Sequence, residues 1–221
     1  MPIQVSEGRF VQFVYTPDYL MNKNRMPSIS DTDSICQALK LVPHKSSIVL
    51  EGGNVVKTSN KVIMTTKVFK ENPNIPEKKL IKDLKTLFEV DQIIFIPPQP
   101  YDFTGHADGM VRFLDEKTVL INRYGERENK QFQQAFRLAL NNAGLDYIEV
   151  PYNPYRNKKS TQANGIYINY LQMQGVIVLP TFGILEDEHA VQLLEQLFPK
   201  QQIITVDSNE IADDGGHTEL Y

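Results

Sequence analysis

A unit of hairpin, helix and strand recurs along the chain, and this recurrence constrains the fold more than any other feature. Each copy contains two short apolar runs around a turn, then an amphipathic helix, then a third apolar run. The first copy runs from IVLEGGN to QIIFIPP, the second from DGMVRF to DYIEVPY, and the third from NGIYINY to QIITVDS. Self-similarity at a spacing of about 55 residues predicts a repeat architecture, in which neighbouring units bury the core together.

The helices and turns give the boundaries of the units. Leu80 and Leu84 recur at helical spacing in one copy, and Phe132, Phe136 and Leu140 do so in the next. We therefore predict a single α/β domain of hairpin-helix-strand units. The predicted complete units are about residues 48–100, 101–152 and 160–207, and the predicted partial units are 1–47 and 208–221.

Composition excludes several classes of partner. A formal net charge of -4 gives no basic surface of the kind that binds nucleic acid. No apolar run approaches the ~20 residues that span a bilayer. The first residues, MPIQVSEGRF, lack the basic start and apolar core of a secretory signal. We therefore predict a cytoplasmic protein without nucleic-acid or membrane partners.

Cys36 is the single cysteine of the 221 residues, which excludes an intramolecular disulfide and a cysteine-based zinc site. It falls beside Ile35 and Leu39 on the apolar side of a short predicted helix. Free cysteine is commonly buried in protein cores. We therefore predict that Cys36 is a core residue and not a nucleophile.

His106 and Asp108 stand one residue apart between two glycines, in the segment TGHADGMVRF. On a strand, this spacing points both side chains to the same face. The pair fits two hypotheses. Either the imidazole and the carboxylate share a proton-transfer task, or they are an ordinary hydrogen-bonded pair at the start of a strand.

The heads of the three hairpins carry Asn54, Asp108 and Asn164 at nearly equal spacing. Repeats arranged in a ring bring such equivalent positions towards one central mouth. Glu51 and Asn164 also fit structural roles, as a buried turn carboxylate and a hairpin cap. A mouth with carboxylates and glycines suits a guanidinium, which a carboxylate can grip in two places. The residues expected there are Glu51, Asn54, His106, Asp108, Asn164, Asp214, Gly215 and Gly216.

Four ordered segments make the chain similar to the agmatine deiminase and bacterial peptidylarginine deiminase family of the pentein superfamily. They are EGGN at 51–54, TGHADGMVRF at 104–113, QANGIYIN at 162–169 and DDGG at 213–216. The resemblance covers most of the chain. It implies a pentein-type α/β propeller of ββαβ units around a central site, here with an incomplete ring. It also implies hydrolysis of a guanidinium to a ureido group and ammonia, on agmatine in putrescine biosynthesis or on peptidyl-arginine.

The resemblance also implies a role for each matching residue. His106 resembles the general acid/base, and Asp108 resembles the carboxylate that holds the guanidinium. In this chemistry a thiolate attacks the guanidinium carbon beside an imidazolium that lowers the pKa of the thiol. No cofactor and no metal are implied. The residues implied to bind the substrate are Glu51, Asn54, Asn164, Gly215 and Gly216.

Two features of the family are missing from the sequence. The nucleophilic cysteine is expected near Leu220, where the chain reads HTELY, and a tryptophan-arginine-aspartate segment with a further carboxylate would precede Met1. We therefore expect a member of low or no activity. The alternatives are a non-catalytic guanidinium-binding or structural remnant and, with less support, a metal-dependent hydrolase built on His106. The C-terminus fits three interpretations (frameshifted, truncated or natural), and the sequence does not specify the substrate or the oligomeric state.

Overall fold

The computed structural model describes residues 2–21, 23, 26–159 and 161–213, in which strands and helices alternate. Short 3-10 helices also occur, at Asp18–Leu20, Met26–Ser28 and Gly52–Asn54. The strands are β1 (Pro2–Ser6), β2 (Arg9–Val14), β3 (His44–Val49), β4 (Val56–Lys57), β5 (Lys61–Thr65), β6 (Gln92–Ile96), β7 (Val111–Phe113), β8 (Thr118–Asn122), β9 (Asp146–Val150), β10 (Leu171–Met173), β11 (Val176–Thr181) and β12 (Gln202–Asp207). The helices are α1 (Thr32–Ala38), α2 (Lys67–Glu71), α3 (Glu77–Phe88), α4 (Lys130–Asn142), α5 (Leu185–Leu197) and α6 (Asn209–Asp213).

These strands form four three-stranded sheets of the same topology: β1-β2-β3, β4-β5-β6, β7-β8-β9 and β10-β11-β12. In each sheet the first two strands pair antiparallel, and the third strand pairs parallel to the second. A parallel return requires a crossover connection, and helices between the second and third strands provide it. Each sheet and its crossover helix therefore make one ββαβ unit, as the sequence predicts.

The first unit is more complete than the sequence indicates. β1 pairs with β2 over most of its length, so the prediction of a partial unit at residues 1–47 was wrong in this respect. The segment PIQVS is short, and only Val5 within it is buried. A strand with so little burial gives a weak alternating signal.

Two further boundaries differ from the prediction. Ile48 and Val49 end the parallel strand β3 instead of opening the second hairpin, which starts with the two-residue strand β4. Residues 209–213 form the helix α6, although the sequence predicts the start of another hairpin there. A run of five residues is too short for its periodicity to separate a helix from a strand.

Alternating residues of the middle strands belong to two different cores. Val62 and Met64 of β5 lie in a cluster with residues of the first unit, whereas Ile63 between them lies in a cluster with residues of the third unit. Leu120 of β8 likewise lies in a cluster with the fourth unit. Successive side chains of a strand point to opposite faces, so the two middle sheets are buried on both sides. Because neighbouring units share their cores in this way, we propose that the four units form one domain.

The helices bury the faces that the apolar spacing predicts. Phe132, Phe136 and Leu140 of α4 are buried, and so are Leu80 and Leu84 of α3. No helix in the described part of the chain combines the length and the apolar character that crossing a membrane requires.

Candidate functional site

A cavity of about 610 Å³ brings three of the predicted site residues together. Glu51, His106 and Asp108 all contribute to its wall. The volume is typical of sites that bind small molecules. Other residues of the wall that bear on its chemistry are Tyr15, Tyr19, Gly53, Gln99, Asp102, Glu128 and Tyr152.

His106 and Asp108 lie in the loop before β7, which begins only at Val111. The backbone N–H of Asp108 donates to the carbonyl oxygen of Gly53 at 3.0 Å. This hydrogen bond ties the loop to the 3-10 turn that follows Glu51. The contact between the two loops, and not the pleat of a strand, therefore brings imidazole and carboxylate to one cavity.

Gly53 allows this close contact because it has no side chain. A Cβ atom at this position would lie 2.8 Å from Oδ2 of Asp108 and closer still to Nδ1 of His106. A larger residue would have to displace both side chains, so glycine is the residue that permits the approach. The second glycine of EGGN thus sets the spacing of the site.

The carboxylate of Glu51 is the centre of a buried polar network, and the residue is only 2% exposed. Its Oε1 accepts a hydrogen bond from Nζ of Lys67 at 2.7 Å, and its Oε2 accepts one from the hydroxyl of Tyr19 at 2.8 Å. Nε2 of His106 lies 3.3 Å from the same Oε2, an ion-pair contact without the alignment of a hydrogen bond. Both oxygens of Glu51 are therefore engaged by protein groups.

Lys67, the first residue of α2, is surrounded by acceptors, and its side chain is only 12% exposed. Besides its bond to Glu51, its ammonium donates to the carbonyl oxygen of Thr104 at 2.8 Å. It also lies 3.3 Å from the carboxylates of Asp18 and Glu71. One ammonium group thus links four separate segments around the site.

Charges in this network shift the pKa values of its members. Burial by itself would raise the pKa of Glu51, but His106, Lys67 and Tyr19 together lower it to about 2. Burial by itself would lower the pKa of His106, but Glu51 and Asp108 outweigh both burial and Lys67, and raise it above 6.5. Near neutral pH the network therefore holds an ionised carboxylate beside an imidazole that is biased towards its protonated form.

The remaining predicted residues have other surroundings. Asn54 is buried, and its Oδ1 accepts the backbone N–H of Thr65 at 2.8 Å, so its amide braces the hairpin behind the cavity wall. Nδ2 of Asn164 donates to Oδ1 of Asn209 at 3.1 Å. Neither asparagine contributes to the cavity wall. Asp214, Gly215 and Gly216 lie outside the described residues.

Sequence reasoning does not identify Lys67 or Tyr19. Lys67 lies two residues after the end of β5, and the carboxyl end of a strand in a parallel pair is a common place for site residues. This position after a strand was the sequence signal that could have identified Lys67. Tyr19 lies in a 3-10 turn outside the repeating pattern, and its hydroxyl reaches Glu51 only through a contact 32 residues away in sequence.

A second polar group occupies another part of the cavity wall. The hydroxyl of Tyr124 donates to Oε1 of Gln99 at 2.8 Å, and Nε2 of Gln99 donates to the hydroxyl of Tyr152 at 2.8 Å. The ring of Tyr155 stands edge-on to that of Tyr152, with 6.2 Å between the centroids. Glu128 also lines the cavity, and burial raises the pKa of its carboxyl. This part of the wall combines aromatic rings with one half-buried carboxylate.

Cys36 does not belong to the cavity. It is buried in α1 as predicted, with its Sγ 3.7 Å from Oε1 of Gln12. The predicted apolar side is wrong, because Ile35 and Leu39 are 37% and 62% exposed. This short helix turns only Cys36 inward. Among the described residues, the wall of the cavity contains no thiol.

Comparison with known proteins identifies the family of the chain. The model of the Porphyromonas-type peptidyl-arginine deiminase family matches residues 2–219. The chain belongs to this family. It is 23% identical to an agmatine deiminase of Pseudomonas aeruginosa over 201 residues, and 23% identical to one of Pseudomonas fluorescens over 204 residues. Each match covers 76% of this chain and 55% of the relative, so the chain spans little more than half the length of these proteins.

A solved structure supports the fold. A cysteine-to-serine variant of C. jejuni agmatine deiminase with substrate bound has a TM-score of 0.77 to this chain, at 19% identity. The match covers 96% of this chain and 66% of the other. At this identity the likeness shows the fold alone. The four units therefore have the predicted α/β propeller-like arrangement of ββαβ repeats.

Proposed function

We propose that the protein has a deiminase-type site for the guanidinium group of agmatine or of peptidyl-arginine, of the kind that hydrolyses this group to a ureido group and ammonia. The observation that carries the proposal is the cavity wall in which His106 stands with the carboxylates of Asp108 and Glu51. Family membership and the substrate-bound C. jejuni agmatine deiminase support a small guanidinium substrate. A cytoplasmic role in putrescine biosynthesis belongs to the same proposal, with agmatine as the substrate.

In this proposal Asp108 holds the substrate cation. Lys67, Tyr19 and His106 already engage both oxygens of Glu51, which leaves that carboxylate poorly placed to grip a ligand. The carboxylate of Asp108 lines the cavity, where it can accept two N–H bonds from a planar guanidinium. Glu51 then acts behind His106 as the group that orients and charges the imidazole.

His106 transfers the proton in this proposal. Hydrolysis breaks one C–N bond of the guanidinium and forms a C–O bond from water. The departing nitrogen must gain a proton to leave as ammonia, and the attacking water must lose one as it adds. The remaining proton of the water is lost when the ureido C=O forms, and it leaves with ammonia as ammonium. An imidazolium can donate the first proton, and the resulting neutral imidazole can accept the second. The raised pKa of His106 keeps the protonated form available near neutral pH.

The nucleophile is the group that this sequence does not provide at the cavity. Cys36 is the single cysteine of the 221 residues, and it is buried against Gln12. Loss of an attacking thiolate costs orders of magnitude in rate, because nucleophile and base act as a unit. We therefore propose that the 221-residue polypeptide binds guanidinium compounds and forms negligible ureido product. The same observation favours the second candidate, a guanidinium-binding protein without turnover.

Titration of the 221-residue polypeptide with agmatine and with a blocked arginine amide tests both parts. Binding is followed by the imidazole NMR signals of His106, assigned with His106→Gln, and turnover by a colorimetric assay of the ureido product. We expect saturable binding without product. Asp108→Asn should weaken binding about tenfold or more, because it removes charge-assisted hydrogen bonds. Asp146→Asn, a matched change at an exposed residue of β9, should not.

Two results would contradict the proposal. Unchanged affinity in Asp108→Asn would show that another group holds the cation. Steady formation of ureido product by the unmodified chain, abolished by His106→Gln, would show that a different nucleophile serves the site. Loss of that product in Cys36→Ala would then place the nucleophile at Cys36.

A further inference from the structure

Glu128 is a carboxylate in the cavity wall that makes no ion pair with any residue that the structure describes. It lies in the loop between β8 and α4 and is half-buried. The hydroxyl of Tyr155 lies close enough to lower the pKa of Glu128, but burial outweighs this effect and raises it. Among residues 2–21, 23, 26–159 and 161–213, no basic side chain lies within ion-pair distance of this carboxylate. No described residue therefore balances the charge of Glu128.

The nearby cations are placed elsewhere. The guanidinium of Arg127 lies over the ring of Tyr155, 5.0 Å from its centroid. Lys158 and Lys159 also border the cavity, but they are exposed, and neither pairs with Glu128. The other carboxylate in this part of the wall, Asp102, accepts hydrogen bonds from the backbone N–H and the hydroxyl of Thr104. Glu128 is therefore, among the described residues, the carboxylate of this part of the wall whose oxygens are less engaged by the protein.

A half-buried charge without a counter-ion is costly, and a cation that binds beside it recovers part of the cost. Tyr152, which also lines the cavity, places an aromatic side chain in the same wall, and aromatic rings attract ammonium groups. A carboxylate on the ligand would be repelled at this place by Glu128. A ligand group that lies against Glu128 is therefore favoured when it is positively charged.

We infer that Glu128 is a specificity-determining residue, which receives the ammonium end of a substrate whose guanidinium end is held at Asp108. The preferred substrate is then a dication of the agmatine type, and peptidyl-arginine, which has no second cation at that place, is disfavoured. This inference rests on the proposed function of the same cavity. It goes further by assigning the two ends of the cavity to the two charges of one small molecule.

The test compares two ligands that differ in one group. Butylguanidine has the guanidinium and the four-carbon chain of agmatine and lacks the amine. Binding of each to the 221-residue polypeptide is measured by calorimetry. We expect agmatine to bind about tenfold more tightly, in line with one partly buried charge-assisted contact. In Glu128→Gln, which keeps the shape of the side chain, the two ligands should bind equally. Glu126→Gln, an exposed neighbour, should keep the full preference.

The outcomes separate this inference from the proposed function. Equal binding of the two ligands to the unmodified chain would overturn the role of Glu128 and leave the guanidinium site intact. A preference for agmatine that survives Glu128→Gln would likewise overturn it. Absence of binding by both ligands would overturn the proposed function, and the inference with it.

Discussion

The ammonium of Lys67 and the carboxylate of Glu51 form an enclosed ion pair, with 2.7 Å between Nζ and Oε1. Because Lys67 holds one oxygen, the other is turned towards Tyr19 and His106. The orientation of Glu51 is therefore fixed by the protein before any ligand binds. This arrangement explains how a buried carboxylate can stay ionised and act on the imidazole.

We expect Glu51→Gln to lower the pKa of His106. Glu51 raises this pKa through its contact and its charge, and without it burial would favour the neutral imidazole. The measurement is an NMR titration of the His106 ring signals. Glu71→Gln is the matched control, since Glu71 also contacts Lys67 but does not face His106. Equal titration curves for Glu51→Gln and the unmodified protein would contradict the assignment.

The ionised Glu51 should stabilise the fold above the pH at which a free glutamate titrates. Its pKa is lowered from 4.5 to about 2, so this stabilisation is complete above pH 4.5 and is lost as the pH falls towards 2. The shift corresponds to about 3 kcal/mol. The free energies of unfolding of the unmodified protein and of Glu51→Gln, measured with urea, should therefore approach each other as the pH falls from 4.5 towards 2. An exposed change, Glu188→Gln, should leave the pH dependence unaltered.

Lys67→Met should destabilise the protein by about 3 kcal/mol, because it leaves the buried Glu51 without its nearest cation. Lys70→Met, at an exposed position of the same helix, should cost less than about 0.5 kcal/mol. Chemical denaturation measures both changes. If the two variants lost the same free energy of unfolding, the ion pair of Lys67 with Glu51 would contribute no more to stability than an exposed lysine does.

Gly53→Ala should weaken guanidinium binding while leaving the fold intact. The added methyl group would push His106 and Asp108 apart, since both lie within contact of its position. Gly109→Ala adds the same group on the neighbouring loop, where nothing lies within 4 Å, and should have a much smaller effect. Calorimetry with agmatine compares the two. Equal affinities in both variants would show that the site accommodates the methyl group.

The sequence predicts those parts of the molecule that rest on local periodicity. Phe132, Phe136 and Leu140 recur at helical spacing, and the burial of α4 follows from that alone. The parallel pairing of β8 with β9 follows from the helix between them. The order of hairpin, helix and strand could therefore be predicted before any coordinates were known.

The details of the site depend on contacts between distant segments, which periodicity does not record. Lys67 and Tyr19 meet at Glu51 from separate parts of the chain. Asn164 has the expected place in the repeat, yet its amide is bonded to Asn209. Equivalent positions in a repeat share a backbone environment, but the partner of each side chain is set by the neighbouring unit. Equivalent positions in two repeats therefore have the same backbone structure more often than the same side-chain role.

The shared cores have a consequence for how the molecule unfolds. Because Ile63 packs towards the third unit and its neighbours Val62 and Met64 towards the first, melting of the second sheet removes core contacts from the sheets on both sides. The stability of each unit then depends on its interfaces with the neighbouring units, as in linear repeat proteins. Amide hydrogens of the two middle sheets should exchange with solvent last and together, while those of the first and fourth sheets exchange sooner. The loops of the cavity wall that adjoin the middle sheets, with Glu51 and His106, should therefore be anchored to the part of the described chain that opens last.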